Sequence, residues 1–141
     1  MKVLSKSLEE TEKIAKDFLN NLPKNKSSHA TVVGLFGDLG AGKTAFSQAL
    51  GRQLGVTEFM TSPTFTIMKS YPIKTGTLIH IDAYRLEKGQ ELEVLGFKEL
   101  LKDPKNLIVL EWPERVSDIL PDDLIKIYFK FISENEREIT Q

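Results

Sequence analysis

Cysteine is absent from the 141-residue sequence, and histidine occurs only twice, as His29 and His80. The missing thiols exclude a disulfide framework, a Cys-ligated zinc and a thiol nucleophile. Two imidazoles so far apart are too few for a His-rich metal site. Long apolar runs are also missing: Leu107-Ile108-Val109-Leu110 falls far short of the ~20 residues that span a bilayer. No charge of one sign dominates, since 19 Lys+Arg stand against 20 Asp+Glu for a net charge of -1. Such a balance supplies no field that would hold nucleic acid by charge alone, although it leaves room for a local basic face. Repeats, low-complexity tracts and Gly/Ser linkers do not occur, and the length suits one domain over residues 1–141. Met1-Lys2-Val3-Leu4 runs directly into Ser5 and Lys6, leaving no room for the apolar stretch of a signal peptide. The expectation is a cytoplasmic protein with no membrane association.

What is present alternates between helical and strand periods. Ser7 and Glu10 have capping-box spacing, and Leu8, Thr11, Ile14, Ala15, Phe18, Leu19 and Leu22 follow on one helical face, with Pro23-Lys24-Asn25-Lys26 ending it. Ala30–Phe36 is a β-branched apolar run, which predicts a strand buried on both faces. A helix is predicted from Lys43, with Phe46, Ala49, Leu50 and Leu54 inward and Gly55 at its C-terminal cap. Phe65–Tyr71 and Thr77–Asp82 read as a hairpin turning at 72–76, and Glu91–Leu101 as a short helix. Leu107–Leu110 reads as another buried strand, and Glu114–Leu120 as a short helix stopped by Pro121. Leu124–Phe131 alternates apolar and polar residues, as a strand near a sheet edge does. The predicted fold is α/β: a three-layer, P-loop NTPase-like sheet, partly parallel with antiparallel additions.

Gly37-Asp38-Leu39-Gly40-Ala41-Gly42-Lys43-Thr44 matches G-x-x-x-x-G-K-[ST]. A phosphate chain must be wrapped by backbone N–H groups, so the wall needs residues without bulky side chains that tolerate positive φ. The helix that opens at Lys43 adds its positive end, Lys43 a full charge for the outer phosphates, and Thr44 a hydroxyl for Mg²⁺. A flexible glycine loop before a helix would share the composition, but the buried strand before the motif and the amphipathic helix after it are the context its geometry requires. A magnesium nucleotide site also needs an acid at the end of a neighbouring strand. Glu111 and Asp82 each end a predicted strand: Glu111 fits the metal side, Asp82 a water-orienting or second magnesium-shell role, and the two can exchange. In Thr61-Ser62-Pro63-Thr64-Phe65, a hydroxyl is placed either to reach the terminal phosphate as a switch or simply to sit in a Pro-fixed turn. Arg85 lies near enough to neutralise phosphate, although a surface ion pair is the commoner fate of an arginine; His80 reads as a core or supporting residue, and Trp112 as a core residue that could cover the site or pack against a partner.

With these segments assembled, the chain resembles the TsaE family (formerly YjeE), small P-loop ATPases of bacterial tRNA threonylcarbamoyladenosine synthesis. The resemblance rests on residues 37–44, on Ser62-Pro63-Thr64-Phe65-Thr66, on His80-Ile81-Asp82-Ala83-Tyr84-Arg85 and on Leu110-Glu111-Trp112. Softer likenesses are Glu9-Glu10-Thr11, Glu91-Leu92-Glu93 with Gly96, and residues 136–140. It implies binding and slow hydrolysis of ATP with Mg²⁺, docking on the TsaB–TsaD pair, and support for modification of the adenosine beside the anticodon. Carried across, Lys43 and the loop amides of Gly37 to Gly42 hold phosphate, Thr44 and Glu111 hold Mg²⁺, Thr64 is the switch hydroxyl, and Asp82 acts near the attacking water. Thr11 and Arg137 fall where the family closes over the nucleotide. No longer tail is expected to complete the base side of the pocket after Gln141.

Two other readings use the same loop. A small-molecule kinase needs an Arg-rich lid, for which four Arg (Arg52, Arg85, Arg115, Arg137) and no spare insert are poor material. A nucleotide-dependent assembly module would use the pocket with hydrolysis incidental. A GTPase is disfavoured by the lack of an Asn-Lys-x-Asp segment. Direct tRNA contact would need a basic face, for which Lys69, Lys74, Lys88, Lys98 and Lys102 near the hairpin are the candidates.

Overall fold

The computed structural model describes residues 2–22, 28–61, 63 and 66–141. In chain order its elements are β1 (Lys2–Ser5), α1 (Leu8–Asn20), β2 (Thr31–Phe36), α2 (Lys43–Gln53), β3 (Met68–Ile73), β4 (Gly76–Asp82), α3 (Gly89–Val94), α4 (Phe97–Leu101), β5 (Asn106–Glu111), a 3-10 helix at Pro113–Ile119, β6 (Ile125–Ser133) and β7 (Glu136–Thr140). The strands form one sheet in the order β1-β7-β6-β2-β5-β4-β3. The four inner strands β6, β2, β5 and β4 run parallel, β7 and β3 run against their neighbours, and β1 runs against β7.

The apolar runs of β2 and β5 are buried along nearly their whole length because helices cover both faces. On one face α1 and α2 pack over Val33, Leu35, Val109 and Ile127. Phe46 of α2 holds this layer together, meeting Phe18 of α1 edge-on at 6.0 Å and Phe129 of β6 at 5.3 Å; such pairs contribute about 0.5–1.5 kcal/mol each beyond area burial. On the other face α3, α4 and the 3-10 helix cover Val32, Ile79, Ile81, Ile108 and Leu110. The expected three-layer α/β sheet is therefore present.

Helix α1 is capped as its sequence predicts at one end of the box. Ser7 accepts the Glu10 N–H at 3.1 Å, while the Glu10 carboxylate reaches one residue further back and accepts the Lys6 N–H at 2.6 Å. Thr11, Ala15 and Phe18 are buried, but Leu8 is exposed, because it lies in the first turn ahead of the sheet. The loop read at 23–26 lies outside the described residues, as do Ser62, Thr64 and Phe65.

Several local expectations are corrected. The hairpin forms, but its strands run to Ile73 and from Gly76, so the turn is shorter than 72–76. The predicted helix 91–101 is two helices, broken where Gly96 takes φ of 95°. The 114–120 helix is a 3-10 helix beginning at Pro113. β6 is not near an edge: β2 pairs on one side and β7 on the other. Its alternation arises because Lys126, Tyr128 and Lys130 lie exposed on one face while Ile127 and Phe129 are buried on the other. β1 and β7 have no counterpart among the elements that the sequence pattern predicts. No helix among the described residues is long and apolar enough to cross a membrane.

Candidate functional site

The parallel order places three chain segments at one end of the sheet. The loop Gly37–Gly42 leaves the C-terminal end of β2 and turns into α2. In the register Leu35 stands opposite Glu111, and Glu111 opposite Asp82, so both carboxylates emerge beside the loop from adjacent strands. Together they border a cleft of about 350 Å³ lined by Leu39, Gly40, Gly42 to Ala45, Asp82, Tyr84, Glu111 and Trp112.

Two of the three loop glycines sit where contacts leave no room for a side chain, while Gly40 has open space and is set apart by its φ of 79°. Gly37 has φ of 148°, and a Cβ there would stand 2.5 Å from the Phe129 carbonyl oxygen. Gly42 has φ of 102°, and its Cβ would stand 2.5 Å from Nη1 of Arg137. As the N-cap residue, Gly42 offers α2 no side-chain acceptor. The first-turn amides therefore keep their donors for an anion, to which the helix dipole also adds. Asp38 and Ala41 close the turn through the Ala41 N–H bond to the Asp38 carbonyl, at 3.1 Å.

Lys43 is buried and its ammonium is held twice over. Nζ donates to the Gly37 carbonyl and lies 3.6 Å from the centroid of the Trp112 ring. Burial lowers its pKa from the usual lysine value, against the pull of Glu111, Glu114, Asp82 and Asp38. Trp112 takes a left-handed backbone, φ 60° and ψ 49°, a conformation that costs a non-glycine residue roughly 1–2 kcal/mol and that places the indole over the lysine. Tyr84 packs against the indole at 5.0 Å, so an aromatic wall forms one side of the cleft.

The Thr44 hydroxyl donates to Glu111, 3.1 Å from Oε1 and 3.3 Å from Oε2. Ser47 donates to the Lys43 carbonyl at 3.0 Å and lies 3.4 Å from Glu111 Oε2. Asp82 accepts the Tyr84 N–H at 3.0 Å. Burial raises the Asp82 pKa above the ordinary value; the Tyr84 N–H opposes this, Glu111 adds to it, and His80 and Lys43 oppose it. Thr44, Glu111 and Asp82 are hard oxygen donors converging on the cleft, which is the donor chemistry Mg²⁺ takes. Among the described residues no group of three or more His, Cys, Asp and Glu could hold a metal unaided. A cation here would complete its shell with phosphate oxygens and water, as Mg²⁺ does in nucleotide sites.

The structure thus brings Gly37, Asp38, Leu39, Gly40, Ala41, Gly42, Lys43, Thr44, Asp82 and Glu111 to one end of the sheet. Arg137 joins them from β7 through its contact with Gly42. Thr11 stands one layer behind: it is buried, lies 2.8 Å from the Ser5 hydroxyl and donates to the Ser7 carbonyl at 3.2 Å. Ser5 is the strand partner of Arg137. Thr64 lies outside the described residues. The sequence pattern does not single out Ser47, and it marks Tyr84 only as part of the His80–Arg85 segment. Ser47 was findable as the residue one helical turn after Lys43, on the face that meets β5. Of the lysines considered for a basic face, Lys98 and Lys102 pair with Glu93 and Glu99 at 3.2 and 3.3 Å.

The chain is similar to known proteins in sequence and in fold. Residues 5–139 match the family described as threonylcarbamoyl adenosine biosynthesis protein TsaE. The TsaE protein of Bacillus subtilis is 39% identical over 132 residues, covering 94% of this chain and 78% of the relative. That of Rickettsia felis is 38% identical over 130 residues, 92% of this chain and 72% of the relative. That of Borreliella burgdorferi is 37% identical over 119 residues, 84% and 82%. The crystal structure of Bacillus subtilis YdiB superposes with a TM-score of 0.76 at 32% identity, over 99% of this chain and 82% of that one.

Proposed function

Because the chain belongs to the TsaE family of tRNA threonylcarbamoyladenosine biosynthesis, we propose that it binds ATP with Mg²⁺ in the cleft and hydrolyses it. Turnover is slow for the protein alone and rises on the TsaB–TsaD pair, whose modification of the adenosine beside the anticodon it supports in the cytoplasm. The observation that carries this reading is the approach of Thr44 Oγ1 to Glu111 Oε1, 3.1 Å apart at the mouth of the loop. It supports the reading because a helix-borne hydroxyl beside a strand-borne carboxylate is the pair of donors that a nucleotide-bound Mg²⁺ takes.

The residues divide the chemistry by position. The loop amides from Gly37 to Gly42 and the first turn of α2 hold the phosphate chain, and Lys43 Nζ exchanges the Gly37 carbonyl for phosphate oxygen. Thr44 and Glu111 hold Mg²⁺, which when bound spreads the charge that develops on the phosphates. Asp82 stands one strand further out and orients the attacking water, its raised pKa suiting it to accept a proton. Thr64 acts as the switch hydroxyl, and Thr11 and Arg137 close the β7 side.

The test is phosphate release from ATP by the purified chain, with and without TsaB–TsaD. Weak turnover that rises with the partners and vanishes in Glu111→Ala is expected. Turnover indifferent to the partners would remove the coupling. A Glu111→Ala protein that binds ATP and still sustains modification over many cycles would show assembly, not hydrolysis, to be the function.

A further inference from the structure

The His80 imidazole is fully buried in β4, and its Nε2 lies 2.6 Å from Oε2 of Glu111 on the adjoining strand. A carboxylate oxygen at that distance calls for a donor, which assigns the proton to Nε2. Nδ1 is then left over: it is buried and has no hydrogen-bond partner among the described residues. A buried polar atom without a partner is a standing cost to the folded state. A phenylalanine or leucine would fill the space without it. Packing therefore does not explain a histidine here, and the compensating gain lies at Nε2.

That gain is visible in the Glu111 carboxylate. Thr44 reaches its two oxygens at 3.1 and 3.3 Å, and Ser47 reaches Oε2 at 3.4 Å. The two hydroxyls come from α2, rotate freely about their C–O bonds and make long contacts. Among the described residues His80 makes the one short bond to Glu111, and it does so from the interior of a parallel strand, with Asp82 opposite Glu111 in the same register. We propose that His80 is a positioning residue. By holding Glu111 Oε2, it keeps Oε1 turned toward the Thr44 hydroxyl and the divalent cation of the bound nucleotide. Such supporting partners commonly change metal affinity about 10–100-fold. The inference rests on the proposed binding of ATP with Mg²⁺.

The test compares ATP binding in EDTA with binding across a Mg²⁺ titration, alongside thermal melting, for the parent protein, His80→Phe, His80→Gln and His80→Asn. Gln places an N–H where Nε2 stands, and Asn places one where Nδ1 stands. For His80→Phe the Mg²⁺ needed for half-maximal tightening of ATP should rise about tenfold or more. Its metal-free ATP affinity should stay within about twofold. Gln should recover most of the Mg²⁺ response and Asn should not, a contrast that survives if His80→Phe does not fold. A parent-like Mg²⁺ requirement in Phe and Asn, with a lowered Tm, would make His80 a core filler and overturn the proposal. A parent protein whose ATP binding ignores Mg²⁺ would overturn the functional reading beneath it, and the His80 proposal with it.

Discussion

Lys43 holds its ammonium 3.6 Å from the centroid of the Trp112 ring, and Trp112 is the one tryptophan in the sequence. A cation on the face of an indole is attracted by the ring quadrupole, by about 0.5–2 kcal/mol depending on solvation. A phosphate chain competing for the same ammonium must draw it away. Tryptophan emission should therefore change saturably as ATP with Mg²⁺ is added, with the midpoint matching calorimetric binding. Lys43→Ala should show no such change. Calorimetric binding by the parent protein with unaltered emission would show that Lys43 keeps its contact with the ring.

The two crowded loop glycines separate stability from binding. A Cβ on Gly37 would strike a backbone carbonyl of β6, whereas one on Gly42 would strike the end of the Arg137 side chain, which can swing aside. Gly37→Ala should lower Tm the more. Gly42→Ala should cost about 1–2 kcal/mol for its left-handed backbone, yet lose ATP binding at least tenfold because the loop and Arg137 are displaced. Differential scanning fluorimetry with calorimetry on both variants decides this, and equal effects on both readouts would contradict it.

Asp82 makes stability and activity respond to pH in linked ways. Its folded-state pKa lies above the ordinary value of 3.8, so the folded protein takes up this proton before the unfolded chain does. Charged Asp82 is thus a liability above the raised value, and the liability fades as pH falls toward 3.8. Asp82→Asn should melt higher than the parent at pH 7, and the difference should shrink through that window. Turnover should fall about 10²-fold or more with ATP affinity kept within about threefold. A variant that melts lower at pH 7 would mean that the Tyr84 N–H contact outweighs burial.

The candidate site was legible because its physics is local. A glycine loop between a buried strand and a helix, with acids at strand ends, fixes Lys43, Thr44, Glu111 and Asp82 before any tertiary contact is known. The left half of the sheet was not legible. β1 has four residues and β7 is largely charged; neither has an apolar pattern, β1 pairs only across most of the chain, Lys2 with Thr140 and Ser5 with Arg137, and β7 is held between β1 and β6. With β7 unseen, the open face of β6 imitated an edge. The break at Gly96 was signalled by the glycine itself, inside a pattern otherwise helical. Histidine at position 80 could be read as a supporting residue, but its hold on Glu111 depends on the β4–β5 register.

Thr11 and Arg137 offer a contrast that this pairing makes testable. Arg137 lies against Gly42 at the rim of the phosphate loop, half-buried on β7, and its strand partner Ser5 lies 2.8 Å from the buried Thr11 hydroxyl. Arg137→Ala removes a cation beside the loop without opening the core. ATP affinity should fall about tenfold, equivalent to about 1.4 kcal/mol, with Tm nearly unchanged. Thr11→Val keeps the shape but removes one buried hydrogen bond, leaving the Ser5 hydroxyl its bond to the Ser7 carbonyl at 3.0 Å, so it should cost about 1 kcal/mol of stability. Its effect on ATP should be small, because its hydroxyl is engaged with Ser5 and Ser7. Adding Thr11→Val to Arg137→Ala should then sum on stability, since the first acts on the β1–α1 packing and the second on the ligand. If Thr11→Val instead weakens ATP binding as strongly as Arg137→Ala while leaving Tm in place, the threonine reaches the nucleotide itself, and α1 must move toward the loop when the cleft fills.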